Sequence, residues 1–292
     1  MNTEQLSSFL RKRYKKQSVR SYLWAAMHFI EHVGEGNLSV IRYQDVMSYI
    51  GLLREKAQHP NHIASQLAAI KALFNFLVSQ GERIDNPASS IILKDSFAKP
   101  LQPQNLFTPE ELRSLLYRKE RYAELRYRNQ CVYSFLIYQA LTSRELVALR
   151  VSDVLLESNE VFVAAKTNTN SRILKLETSQ MFCLENYIRY ERPELIKKGG
   201  ETDILLLTQR GTAIDKECVH YLLESSRGLF PERTLNSVTV RQSVIVNKFK
   251  EGLGIREVQL FAGIKYASTV EKYKPIDRVG LRETLLQFHP MG

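Results

Sequence analysis

The chain has 292 residues, 44% of them hydrophobic, and its 41 Lys and Arg against 31 Asp and Glu give a formal net charge of +10. That composition excludes a disordered chain, is long enough for two domains, and favours an anionic polymer such as nucleic acid as partner. Cys131, Cys183 and Cys218 have neither disulfide nor metal-ligand spacing and read as core thiols of a reducing cytosol. Neither a secretory leader nor an apolar run of about 18 residues is read, so no membrane role is expected.

Residues 1–100 hold 13 Lys and Arg against 8 Asp and Glu, about half of the whole excess, so neither part is a basic tail on a neutral body. Helical periodicity predicts helices over Thr3 to Lys16, Ser18 to Val33, Tyr43 to Gln58 and Asn61 to Gln80, the last with Leu67, Ile70, Phe74 and Leu77 on one face and Gly81 as its stop. Arg11, Lys12, Arg13, Lys15 and Lys16 make a basic face on the first helix, a candidate phosphate contact with an ordinary solvated face as the alternative, and Lys71, Gln66 and Asn75 lie on the fourth helix. Asn86-Pro87 ends this four-helix unit, placed at residues 1–94, and the polar, proline-bearing stretch 95–106 reads as a linker to a second domain over 107–292.

Thr108-Pro-Glu-Glu111 has the residues of a capping box with proline in the first turn and predicts a helix start. Arg113, Arg118, Lys119, Arg121, Arg126 and Arg128 follow as a second basic cluster, with salt bridges to Glu120 and Glu124 as the alternative. A buried helix over Tyr127 to Leu141 and a short one over Arg144 to Leu149 come next. Val154 to Ser158, Glu160 to Lys166 and Arg172 to Leu176 then read as a small antiparallel sheet. Helices resume over Thr178 to Tyr190, Lys216 to Arg227, Ser237 to Lys250, Ile255 to Gly263 and Ile276 to Phe288.

Four segments carry chemistry. Ala140-Leu-Thr-Ser-Arg-Glu-Leu146 has Thr142 and Glu145; Val161-Phe-Val-Ala-Ala-Lys166 ends a hydrophobic strand in a lysine; Val238-Thr-Val-Arg241-Gln242 opens a helix; and Phe261-Ala-Gly-Ile-Lys-Tyr-Ala-Ser-Thr-Val-Glu-Lys-Tyr273 puts a tyrosine, on a helix-like segment, 32 residues after Arg241. Their order and spacing resemble the tyrosine recombinases, the phage-integrase family, over essentially the whole chain. The resemblance implies a mainly α fold: an N-terminal four-helix, SAM-like core-binding domain, then an α+β catalytic domain with a small antiparallel sheet. It also implies that two domains clamp double-stranded DNA, the fourth helix with Lys71, Gln66 and Asn75 entering a groove, and that a tyrosine attacks a phosphodiester to form a 3′-phosphotyrosyl link, with no metal or nucleotide cofactor.

Carried over by the resemblance, Tyr273 is the nucleophile, Arg241 a phosphate clamp, Lys166 the acid for the leaving 5′-oxygen, and Glu145 a buttress. Such a site needs paired guanidinium donors because charge builds on the non-bridging oxygens, and it needs cationic help because a tyrosine hydroxyl ordinarily ionises near pH 10. The pattern is incomplete: Thr142 stands where the family has a first arginine, Val238 and Ile264 where it has His and His or Trp, and Gln242 where it has a second His. Either slow, partner-dependent cleavage in DNA recombination or integration follows, or an inactive DNA-binding accessory subunit. The resemblance further implies assembly on DNA, as a homo-oligomer or with an active recombinase, through a terminal segment such as 276–288. The expected location is the bacterial cytoplasm, nucleoid-associated when bound to DNA.

Overall fold

A computed structural model of the chain describes residues 3–94 and 102–274, which divide into two compact units, Met1–Lys99 and Pro100–Gly292. Most of the expected linker 95–106 and the whole expected helix 276–288 lie outside the described residues.

The first unit is four helices, α1 (Thr3–Arg13), α2 (Lys16–Val33), α3 (Tyr43–Glu55) and α4 (Pro60–Ser79). Its starts and stops are local chemistry. α2 ends at Gly34, which takes a φ of 81° that disfavours any side chain. α4 begins with Pro60, whose missing N–H costs nothing in a first turn, after His59 Nδ1 has accepted the Asn61 N–H at 3.1 Å. Leu6, Leu10, Phe29, Ile50, Ile70, Leu73, Phe74 and Phe76 interlock in one core. Contrary to the sequence reading, α4 is long and apolar enough to cross a membrane by length and composition. Its apolar residues, Ile63 to Leu77, are instead buried in this core, which is why a helix of a globular unit is apolar over so much of its circumference.

The second unit opens with α5 (Pro109–Ser114). Thr108 caps it as the sequence predicts: Oγ1 accepts from Glu111 N at 3.3 Å, and the Glu111 carboxylate accepts from Thr108 N at 2.8 Å. Then come α6 (Arg126–Tyr138), α7 (Ser143–Leu146), and strands β1 (Val154–Leu155), β2 (Glu160–Val163) and β3 (Arg172–Lys175). The strands form an antiparallel sheet in the order β1-β2-β3, with Val161 opposite Leu174 and Val163 opposite Arg172. α8 (Thr178–Asn186) runs through a π turn, Tyr187–Glu191, into α9 (Arg192–Gly199), and α10 (Lys216–Glu224), α11 (Ser237–Lys250), α12 (Ile255–Ala262) and α13 (Ala267–Glu271) complete the described residues. Helical structure therefore continues past Tyr190, where the sequence reading stops it. Pro193 follows directly on the π turn, where the widened helix accommodates a residue that lacks an N–H. Phe107, Tyr133, Phe135, Leu136, Leu205, Leu207 and Val240 lie in the main core, with Cys131 and Cys183 buried among them.

The π turn presents Glu191 to the start of α6, where its carboxylate accepts the N–H of Tyr127 at 2.8 Å and of Arg128 at 3.1 Å. Burial pushes this carboxyl up to about 7, outweighing the two N–H donors and the Arg128 charge. Between about 4.5 and about 7 the folded chain thus holds a proton that the unfolded chain has released. The Glu191 contribution to stability is present at low pH and is lost as pH rises through that window. The urea midpoint of the second unit is expected to fall between pH 5 and pH 8, and Glu191→Gln, still an acceptor but not titratable, is expected to flatten the slope; an unchanged slope in the variant would remove Glu191 as its source.

Candidate active site

Glu145 lies at the centre of the site, fully buried at the end of α7. Thr142 is the N-cap of that helix: its Oγ1 accepts from Glu145 N at 3.2 Å, while its own N–H and O–H donate to Glu145 Oε2 at 2.8 and 2.9 Å. The position where the family resemblance implies an arginine therefore serves here as a cap. A buried carboxylate needs a counterion, and two guanidinium groups face it. Arg172, at the start of β3, brings Nη1 to 2.6 Å from Glu145 Oε1, with its side chain 6% exposed. Arg241, on α11, brings Nη1 to 3.8 Å from Oε2, with its side chain 12% exposed. Burial alone would raise the Glu145 carboxyl, but the hydrogen bond and charge of Arg172, the Thr142 N–H and the Arg241 charge together hold it below the usual carboxylate range.

Arg241 donates Nη1 to Ala140 O and Nη2 to Ala262 O, the latter at 2.6 Å, so it ties the α6–α7 corner to the end of α12. Burial pulls its ionisation down, Glu145 and Tyr273 oppose that pull, and Arg172 adds to it. The link to the tyrosine runs through Ala262, whose carbonyl accepts from Arg241 and whose side chain lies in the cluster that Tyr273 packs against. Tyr273 is half-buried and lies in the turn just beyond α13, its N–H bonded to Val270 O at 2.9 Å, beside a small cluster of Ile245, Val258, Ala262, Ile264 and Val270. The sequence reading puts it on a helix. The helix ends two residues earlier, and Pro275 in the sequence disfavours helical backbone at Lys274.

The hairpin bearing Lys166 docks on the turn before the tyrosine. Asn170 N donates to Gly263 O at 2.8 Å, Thr169 bridges both Lys166 and Ile264, Lys265 Nζ donates to Thr167 O at 2.9 Å, and Arg172 Nε donates to Phe261 O at 2.8 Å. Gly263 is required here twice over. Its φ of 64° ends α12 in the left-handed region, and a Cβ on it would lie 2.4 Å from Arg172 Nη1. Among the altered positions, Val238 is exposed on the first turn of α11, Gln242 is half-buried one residue after Arg241, and Ile264 is buried in the apolar cluster. The structure thus brings together Glu145, Thr142, Arg241, the Lys166 hairpin, the Ile264 turn and Tyr273. Arg172 is the member that motif reading misses. The signal was the strand alternation that puts Arg172 on the same face as Leu174 and Leu176, where a charge must find a partner.

Residues 105–278 match the model of the phage integrase family. The chain belongs to the phage integrase family. Tyrosine recombinase XerD of Listeria monocytogenes serovar 1/2a is 23% identical over 256 residues, 86% of this chain and 84% of the relative. Tyrosine recombinase XerC of Roseiflexus castenholzii is 27% identical over 286 residues, 92% and 88% of the two chains. The fold is that of XerH site-specific recombinase bound to its palindromic difH substrate in a post-cleavage complex, with a TM-score of 0.73, 18% identity, and 91% of this chain and 78% of that one covered. It is also that of the Tn1549 transposon integrase in complex with transposon right end DNA, with a TM-score of 0.68, 16% identity and 98% of each chain covered.

In this phage integrase family chain the first unit keeps Arg11, Lys12, Arg13, Lys15 and Lys16 exposed, and an open groove between α1 and α2 is lined by Arg11, Tyr14, Lys16 and Arg20. Lys71 differs from the expectation of a DNA contact in a groove: its ammonium donates to Ser89 O at 3.0 Å and Ile91 O at 2.8 Å, anchoring the end of the unit to α4. Gln66 is buried, so it does not present an edge to a groove, and Asn75 accepts from Asn86 at 2.8 Å. In the second unit, Arg118 pairs with Glu120 at 3.3 Å and bonds Tyr133, and Arg113 pairs with Glu110 at 3.6 Å, so part of that basic cluster is spent internally.

Proposed function

We propose that the chain binds double-stranded DNA and acts in DNA recombination or integration, with Tyr273 attacking a phosphodiester and Arg241 holding its non-bridging oxygens. Lys166 protonates the leaving 5′-oxygen, a role suited to a flexible ammonium, and Glu145 holds the site together. No metal or nucleotide cofactor enters this reading: the energy of the broken bond is kept in the phosphotyrosyl link. The observation that carries it is Arg241 facing Glu145 and bonded to Ala262 O, with Tyr273 packed against the cluster that holds Ala262 and Ile264 and the Lys166 hairpin docked on the same turn. The relatives named as tyrosine recombinases, and structures solved with DNA, support the same assignment. Thr142, Val238, Gln242 and Ile264 slow the reaction or make it depend on a partner subunit in an assembly on DNA. Domain limits of 1–94 and 107–292, the five exposed basic residues of the first unit as phosphate contacts, and work at the bacterial nucleoid belong to this reading.

Those same four positions favour a second reading, an inactive subunit that binds DNA beside an active recombinase. A nicked duplex that traps a cleaved strand separates the two. A protein–DNA species surviving denaturation is expected; salt-sensitive binding with no such species would end the cleavage reading and leave the accessory one.

A further inference from the structure

Two arginines face Glu145, but unequally. Arg172 holds Oε1 at 2.6 Å, whereas Oε2 is taken by the N–H and O–H of Thr142, and Arg241 stands 3.8 Å away, beyond hydrogen-bond reach. The hydrogen bonds that Arg241 does make go to two uncharged carbonyls, Ala140 O and Ala262 O, which orient the guanidinium without cancelling its charge. The Arg172 side chain is 6% exposed, and among the described residues its buried Nη2 has no hydrogen-bond partner. The group is therefore placed for the carboxylate and for Phe261 O, and not for full satisfaction of its own donors. If it were removed, the buried Glu145 would be left with Arg241 as its nearest cation among the described residues, and a buried acid pulls such a neighbour into contact.

We propose that Arg172 is a positioning residue that occupies Glu145 and so leaves the charge of Arg241 available to a DNA phosphate. The proposal rests on the DNA reading above. With Thr142 uncharged, Arg241 is the arginine that reading gives to the phosphate, so an acid allowed to capture it would silence the clamp. Arg172 prevents that capture, and through Phe261 O and the close fit under Gly263 it also fixes the turn leading to Tyr273.

The test uses the full chain and a duplex that the wild-type chain retains from a random-sequence pool, with affinity measured over a salt series. Neutralising one phosphate contact lowers the slope of log affinity against log salt by about 0.9. Arg241→Gln and Arg172→Gln are both expected to show that loss. Arg172→Gln combined with Glu145→Gln is expected to return to the wild-type slope, because no acid remains to capture Arg241, and Arg172→Lys is expected to keep it. A double variant that stays low would overturn the proposal, since Arg172 would then touch phosphate itself. An unchanged slope in Arg172→Gln with a lower melting temperature would also overturn it, leaving a structural role only. A wild-type chain that retains no duplex would overturn the DNA reading and the proposal together, an outcome distinct from either. Should Arg172→Gln fail to fold, Arg172→Lys and the double variant still decide, a wild-type slope in both being required.

Discussion

Replacing Thr142 with arginine is expected to raise the rate of strand cleavage by on the order of 10²-fold, and only while Tyr273 is present. A phosphodiester under attack gains charge on its non-bridging oxygens, and one fixed cationic donor at that point is worth about 3 kcal/mol or more in the transition state. The substitution has a cost, because Thr142 caps α7 through Glu145 N and donates to Glu145 Oε2. Losing the cap removes about 1 kcal/mol of stability, which an arginine beside the buried Glu145 carboxylate partly offsets. Val238→His should be well tolerated, since that side chain is exposed, whereas Ile264→His puts a polar ring into the cluster of Ile245, Val258, Ala262 and Val270 and should lower stability. Single-turnover formation of the covalent species on a nicked duplex measures the effect. Tyr273→Phe, alone or added to Thr142→Arg, is expected to leave none. Equal rates for wild type and Thr142→Arg at equal DNA affinity would show that a missing arginine is not what limits this site.

Much of the fold was legible because it is written in local periodicity. Ser237–Lys250 is one helix as its pattern of Val240, Val244 and Ile245 implies, and Thr108 caps α5 as the Thr-Pro-Glu-Glu run implies. Boundaries moved where a local rule met a tertiary one: the helix expected to stop at Tyr190 continues because a π turn absorbs the irregularity and aims Glu191 at α6. The site was legible as a set of residue types but not as a circuit. Thr142-Ser-Arg-Glu145 carries the spacing of a capping box, yet against the family pattern Thr142 stands out only as an absent arginine. Arg172 could be placed on an inward face by alternation, but its partner is 27 residues away in sequence and comes close only through the hairpin. Lys71 shows the converse: a lysine on an amphipathic helix reads as a surface charge, and the carbonyls of Ser89 and Ile91 that hold it arrive from a turn with no periodic signal.

The largest loss of stability from one side chain in the second unit is expected from Glu145→Ala. Glu145 is fully buried, and its removal leaves the Arg172 guanidinium in the interior without its carboxylate, Arg241 without the only acid beside it among the described residues, and α7 without one half of its capping box. Breaking a buried pair from one side costs about 3–5 kcal/mol, because the stranded charge has no water to solvate it. Replacing both members by leucine, Glu145→Leu with Arg172→Leu, should cost less than the single change, since no unpaired charge is then left inside. The sole tryptophan, Trp24, lies in the first unit, so its fluorescence reports that unit and serves as an internal control. Hydrogen exchange at the paired amides of β2 and β3 reports the second unit. Faster exchange there in Glu145→Ala, partly reversed in the double variant, is the expected result. A loss of no more than about 1 kcal/mol, the value of an exposed ion pair, would mean that water reaches Glu145 and that Arg172 is not its indispensable partner.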